Sequence, residues 1–247
     1  MAIFMLLQLT ELELIHGIFT LVLVITFLLV GLRIALKYLS TKSKIFLLVG
    51  FAWILISSAW WGSGFSFFAI LITGDPLPLP IYLLLGNAFI PIAAICWIFG
   101  YSSLISSISD KKLFILINGI ISVCFEIFLI IFLFIAPSEL GTIRENFYSQ
   151  PGLVPMIFQL YAILLTIITG IIFSRKSMKS DDTKIQLKGK FLLAAFVFFT
   201  IGAFLDAAIP LNAITLIVTR LILIISAILF FIGFLLPKRI EKIFYKP

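Results

Sequence analysis

Long runs of hydrophobic residues separated by short polar connections dominate the sequence. A membrane-spanning helix needs about twenty apolar residues in succession, whereas a barrel strand shows about ten residues of alternating polarity. The runs here are long and do not alternate, so they predict helices. We expect seven spanning helices, at roughly residues 13–38, 44–72, 80–106, 113–136, 153–174, 189–208 and 212–236.

Glycine and proline residues mark several ends of these runs, because they favour turns and disfavour the interior of a helix. Gly74-Asp75-Pro76 separates the second helix from the third, and Pro137 ends the fourth. The sixth helix is the shortest, since Asp206 interrupts it and Pro210 follows. The connections are too short for a second folded unit. We therefore predict an all-α integral membrane protein, with one seven-helix domain over residues 1–247.

Composition supports lipid as the solvent of these helices. The chain of 247 residues is 62% hydrophobic and only 12% charged. In soluble domains about a quarter of the residues are charged. A water-soluble core could not bury so much apolar surface. In lipid the backbone N–H and C=O groups must be paired internally, which leaves helices or closed barrels.

The basic residues predict the orientation. Sixteen of the eighteen lie at alternate connections: Arg33, Lys37, Lys42, Lys44, Lys111, Lys112, Arg175, Lys176, Lys179, Lys184, Lys188, Lys190, Lys238, Arg239, Lys242 and Lys246. Because cytoplasmic loops are rich in Lys and Arg, we expect a multi-pass cell-membrane protein with its N-terminus outside and its C-terminus in the cytoplasm. The cytoplasmic face would attract anionic lipid headgroups. Nucleic-acid binding is not expected, since these charges are divided among four short connections.

Ionisable and polar side chains inside spans are costly and usually face the interior of a bundle. They gather in the predicted outer half, which suggests a pocket open to the outside, and the candidate ligand-binding residues are Trp61, Asn87, Glu126, Asp206 and Arg220. Glu126 and Arg220 lie at similar depths, so they could meet if helices 4 and 7 are neighbours. In that pocket Arg220 would be available for an anionic group. The alternative interpretation is that these groups only hold the bundle together.

Three other features have structural interpretations. Asn118, Ser122 and Glu126 share one face of helix 4, because side chains four residues apart lie one above the other. Ser58, Gly62 and Ser66 form a small-residue ridge on helix 2, suited to close helix contact. We expect Trp60 and Trp61 to pack in the interior, and His16 to be an interfacial residue without a special role.

Several activities are excluded by what the sequence lacks. A retinal protein needs a lysine deep in a helix, and every lysine lies near a predicted cytoplasmic helix end. One histidine cannot provide the paired ligands of a metalloprotease or of a bis-histidine haem site. No nucleophile elbow, P-loop or dinucleotide fingerprint occurs. We therefore expect no enzyme activity, no cofactor and no metal site.

The segments Leu187–Phe196 and Ile201–Asp206, the pair Thr219-Arg220 and the segment Gly233–Pro237 resemble a group of uncharacterised archaeal seven-helix membrane proteins. That resemblance implies no known activity. The architecture is also similar to the seven-helix sensor regions of prokaryotic signalling proteins. No kinase or cyclase follows the helices here, so signalling would need a separate cytoplasmic partner, which we expect at the basic loop 175–190.

Three hypotheses about function follow. A receptor or sensor would bind a small ligand in the outer half of the bundle and signal to that partner. A small-solute or proton-coupled transporter would use the same pocket, with Glu126 as a proton carrier. Against transport, the inner half is almost entirely apolar and interrupted helices at mid-membrane are not expected. The third hypothesis is a structural or accessory subunit without a ligand.

Overall fold

A computed structural model describes residues 9–104, 110–144, 148–208 and 212–244. These residues contain seven helices that are long and apolar enough to cross a membrane, as the sequence predicted. We call them spans 1 to 7 in chain order: Glu11–Thr41, Lys44–Thr73, Leu79–Leu104, Lys111–Ile135, Leu153–Met178, Thr183–Ala208 and Ala213–Leu235. The chain is therefore a multi-pass, all-α membrane protein.

Most spans extend a few residues beyond the predicted apolar runs. The largest difference is in span 6, which begins at Thr183 rather than at residue 189. The extra turns contain Lys184 and Lys188. The helix can continue through them because lysine is a good helix former, and its ammonium group can stay in water while its stem lies on apolar surface. The length of an apolar run therefore predicts the part of a helix that lies in the bilayer, and the helix itself can be longer. The predicted end of the third helix at residue 106 lies outside the described residues.

Spans 2 and 3 are both interrupted, contrary to the expectation of continuous helices. Span 2 comprises a helix over Lys44–Ile56, a 3₁₀ turn over Ser57–Trp60 and a helix over Trp61–Thr73. The Ser57 hydroxyl donates to the Ile54 carbonyl oxygen (2.6 Å) and so competes with the regular backbone ladder.

Span 3 divides into helices over Leu79–Asn87 and Ile90–Leu104. Pro91 explains this break. Its nitrogen cannot donate to the carbonyl of Asn87, and its ring crowds that group.

Six spans form a closed ring in the order 1, 2, 3, 5, 6, 7, with span 7 back in contact with span 1. Span 4 lies outside the ring against span 3, and Phe125 on span 4 stacks on Phe158 of span 5 at 4.0 Å. Spans 1 and 2 are in close contact where Gly31 and Gly50 face each other. A Cβ built on Gly50 would lie 2.6 Å from the carbonyl oxygen of Gly31.

The two ends of the bundle differ. At one end, a short helix over Pro137–Leu140 leads into an antiparallel hairpin of strands β1 (Gly141–Arg144) and β2 (Tyr148–Pro151), in which Gly141 pairs with Pro151. We call this the hairpin end. The opposite, basic end carries a helix over Lys238–Phe244, which we call the terminal helix.

Aromatic side chains fill the centre of the ring. The indole of Trp53 lies between Phe230, at 3.7 Å between ring centroids, and Phe27, at 5.0 Å. Phe196 packs edge-on against Phe230 at 5.5 Å. We call Phe27, Trp53, Phe196 and Phe230, together with Phe199 and Trp97, the aromatic core. Every member is at least 96% buried.

Candidate functional site

A cavity of about 410 Å³ lies at the hairpin end of the ring. Spans 1, 2, 3, 5, 6 and 7 all contribute lining residues, and residues 148–151 of strand β2 form a further wall. Among the described residues, span 4 contributes none. The volume falls within the range of small-molecule pockets, about 300–1,000 Å³.

An ion pair between the buried Arg220 and the partly buried Asp206 forms the polar wall of this cavity. Arg220 on span 7 donates from Nη1 to Oδ1 of Asp206 on span 6, at 2.7 Å. Trp60, in the 3₁₀ turn of span 2, donates from Nε1 to Oδ2 of the same carboxylate, at 2.8 Å. The guanidinium carbon also lies 5.9 Å from the Trp60 ring centroid. Three spans are therefore connected through one carboxylate.

His16 and Tyr148 complete this wall. His16 is 5% exposed, lines the cavity, and lies close enough to Asp206 and Arg220 for charge interactions. Its ring centroid is 6.0 Å from that of Tyr148 on strand β2. The sequence predicted an interfacial residue and did not indicate this burial in the cavity lining. The helix-end position suggested an interface, but the hairpin covers that position.

A second set of polar contacts holds the walls in place. The hydroxyl groups of Ser63 and Tyr82 are hydrogen-bonded at 2.6 Å, and Ser149 of the hairpin also interacts with Tyr82. Gln159, which lines the cavity, donates from Nε2 to Oδ1 of Asn87 at 3.0 Å. These bonds connect spans 2, 3 and 5 with the hairpin around the cavity.

The structure divides the five predicted site residues into two groups. Asp206 and Arg220 line the cavity. Asn87 lies one layer behind it, in contact with Gln159. Trp61 instead bonds Ser57 at 2.9 Å and packs on Phe89 at 5.0 Å, beside the cavity and not in its lining.

Glu126 is separated from the cavity because span 4 lies outside the ring. The hypothesised approach of Glu126 to Arg220 does not occur, since Arg220 pairs with Asp206. The polar stripe does share one face, with Asn118 and Ser122 buried and Tyr161 of span 5 donating to Asn118. Within the described parts of the chain, Oε2 of Glu126 is buried without a hydrogen-bond partner.

Sequence reasoning missed several lining residues. Trp60 was assigned to packing, although its indole N–H makes a polar contact that orients Asp206. Tyr148 belongs to a connection whose hairpin fold was not predicted. The short polar run Tyr148-Ser149-Gln150 before Pro151 was the available signal, but nothing in the sequence indicates that it folds back over the bundle.

The described residues offer no conventional metal site. No group of three or more His, Cys, Asp and Glu side chains is assembled among them. Cys96 and Cys124 are both free thiols. The polar groups at the cavity can make charge interactions and hydrogen bonds.

The comparisons with known proteins give no family for this chain: no protein-family model matches it, and no curated protein matches it.

Proposed function

We propose that this protein is a seven-helix receptor or sensor that binds a small ligand in the cavity at the hairpin end. The observation that carries the proposal is the cavity itself, which has the partly buried Arg220–Asp206 pair at its wall. An apolar pocket with a few converging polar groups is the usual form of a ligand site. A purely structural ion pair would not require an adjoining space of about 410 Å³.

We place the hairpin end outside the cell and the basic end in the cytoplasm. The support is the distribution of basic residues, because Lys and Arg accumulate in cytoplasmic connections. The ligand would then enter from outside. The basic end, including residues 175–190, would face anionic lipid headgroups and a separate cytoplasmic partner.

The positions of the charged pairs on spans 6 and 7 support a route for the signal. Asp206 and Arg220 lie on these two spans near the hairpin end. At the basic end, Lys184 of span 6 forms a 2.6 Å salt bridge with Glu241 of the terminal helix, which follows span 7. Between them, the Ser226 hydroxyl of span 7 donates to the Ala195 carbonyl of span 6 at 3.0 Å. A ligand that moved Asp206 relative to Arg220 would shift the same two helices at the other end.

The aromatic core favours binding without transport. Phe27 lies eleven residues beyond His16 along span 1, about 16 Å deeper, and Phe230 lies ten residues beyond Arg220. The stacked rings of Phe27, Trp53 and Phe230 therefore lie between the cavity and the basic end. A polar solute would have to cross this largely apolar layer, at a high desolvation cost.

A transporter is the second candidate, and one observation favours it. The interruptions of spans 2 and 3 both adjoin the cavity, through Trp60 and Ile90. Broken helices beside a central site are typical of secondary transporters. In that case the aromatic core would have to open during each cycle.

The first test is thermal unfolding of the purified protein against a broad set of small polar metabolites. The key variant is Ala59→Trp, which puts a large side chain at the cavity lining and leaves the ion pair unchanged. Ala69→Trp is the matched control, because Ala69 lies on the same span and outside the lining. We expect a ligand to raise the unfolding midpoint of the wild type and of Ala69→Trp, but not that of Ala59→Trp.

The second test separates the two candidates. Protein reconstituted into liposomes should bind the ligand found in the screen without accumulating it in the lumen. Uptake above that of protein-free liposomes would contradict the sensor and support the transporter. If no compound shifts the wild type, the ligand hypothesis fails and an accessory subunit becomes the better interpretation.

A further inference from the structure

We propose that the cavity binds a small zwitterion with an apolar side chain, of the α-amino acid class. The ligand's carboxylate would bind Arg220 and its ammonium group would bind Asp206. This inference rests on the proposed ligand-binding function and specifies the chemical class of the ligand.

The charge balance of the cavity is the first argument. With histidine counted as neutral, Asp206 and Arg220 are the charged side chains among the described lining residues, and their charges cancel. A singly charged ligand would leave one uncompensated charge in a site of low dielectric constant, which is costly. A zwitterion adds no net charge, and its two groups can face the two members of the pair.

The second argument is that the pair has unused hydrogen-bonding capacity. A guanidinium group has five N–H donors. Asp206 is its acceptor among the described residues and receives one bond, from Nη1, while the buried Nε has no acceptor there. Arg220 is 2% exposed, so little of the group is in contact with bulk water. A planar carboxylate is the group that a guanidinium edge binds best.

Asp206 provides the complementary acceptor. Each of its oxygens accepts one bond, from Arg220 or from Trp60, and a carboxylate has about four lone-pair sites. Its side chain is 20% exposed, more than the 3% of Arg220, and it lines the cavity. An ammonium group can therefore reach Asp206 without displacing Arg220.

The rest of the wall selects the ligand's side chain. Apolar residues of four spans face the cavity beyond the pair, among them Ile56, Ile90, Leu160, Ile163 and Phe199. A branched aliphatic or aromatic side chain would be buried against them. Burial of such a side chain removes apolar surface from water, which favours binding, so an apolar amino acid should bind better than glycine.

The experiment uses three matched probes on the full chain: L-leucine, its decarboxylated amine 3-methylbutylamine, and its deaminated acid 4-methylpentanoate. L-phenylalanine and glycine test the side chain. Affinity is measured by calorimetry and by the shift of the unfolding midpoint. We expect L-leucine or L-phenylalanine to bind roughly tenfold or more tightly than glycine and than either single-charge analogue.

Two substitutions test the assignment of each charge. Asp206→Asn keeps an acceptor for Trp60 but leaves Arg220 unbalanced, so the preferred probe should change from the amino acid to 4-methylpentanoate. Arg220→Gln should change it to 3-methylbutylamine. The unliganded unfolding midpoint of each variant shows whether it folds, and a gain of affinity for a new probe cannot result from misfolding.

The outcomes separate the two proposals. If a ligand of another class binds the cavity by the Ala59→Trp criterion while no amino acid does, the zwitterion inference is wrong and the receptor proposal stands. Amino-acid binding with an unchanged order of probes in Asp206→Asn and Arg220→Gln would also overturn the inference. If no compound binds, both proposals fail.

Discussion

Asp206 and Glu126 are both carboxylates within spanning helices, but they have different surroundings. Asp206 accepts hydrogen bonds from Trp60 and Arg220, whereas Oε2 of Glu126 has no partner among the described residues. Removing one member of a buried pair leaves the other charge unbalanced, which costs about 3–5 kcal/mol. At the residue scale, the role of a carboxylate therefore depends on its partners and not on its depth.

The first prediction compares these two positions. Asp206→Ala should lower the free energy of unfolding by about 3 kcal/mol or more, because it leaves the Arg220 guanidinium buried without its counter-charge. Glu126→Ala should change it by less than about 1 kcal/mol, since no ion pair is lost. Equilibrium unfolding in mixed detergent micelles measures both. Equal losses would show that Glu126 has a charged partner in the folded protein.

At the scale of elements, close contacts between spans depend on the positions of glycine and serine residues at the helix interfaces. The small-residue ridge on span 2 is confirmed, since Ser58 and Ser66 are fully buried and a Cβ on Gly62 would lie 2.8 Å from the carbonyl oxygen of Tyr82. Gly50 plays the same part against span 1. Small residues let helix backbones approach, and dispersion contacts then stabilise the pair.

The second prediction tests this with two glycines in different surroundings. Gly50→Ala should destabilise the protein by about 1–3 kcal/mol, because its Cβ would lie 2.6 Å from backbone atoms of span 1. Gly119→Ala on span 4 meets nothing within 4 Å, and alanine is the better helix former. That change should be neutral or stabilising by up to about 1 kcal/mol. Destabilisation by both changes to the same extent would mean that helix packing does not decide the effect.

At the scale of the whole molecule, the hairpin and the basic connections lie at opposite ends of the bundle. The proposed orientation follows from the basic residues, and it gives the cavity an outside ligand and the basic end a cytoplasmic partner. In the reversed orientation the cavity would open to the cytoplasm, and the proposed direction of signalling would be reversed.

The third prediction concerns this orientation. Cys96 and Cys124 are first replaced by alanine, and a single cysteine is then introduced as Thr142→Cys on the hairpin or Asp181→Cys at the basic end, both exposed positions. A membrane-impermeant maleimide should label Thr142→Cys in intact cells. It should label Asp181→Cys only after permeabilisation. The opposite pattern would reverse the topology.

The number of spans, their approximate ranges and the ridge on span 2 can all be predicted from the sequence alone. These features are local, because hydrophobic length and residue spacing report how a segment meets lipid wherever its neighbours lie. The sequence also identified Asp206 and Arg220 as candidates, since ionisable residues are rarely tolerated in a span without a partner or a role.

Which of these groups meet depends on how the helices pack against one another. Asp206 pairs with Arg220 because spans 6 and 7 are neighbours in the ring, and Glu126 does not, because span 4 lies outside it. His16 and Tyr148 belong to the cavity because the hairpin folds back over span 1. Such contacts join residues far apart in the chain, and their energies depend on the packing of several helices together. Hydrophobic periodicity describes one helix at a time, so it cannot predict contacts between helices.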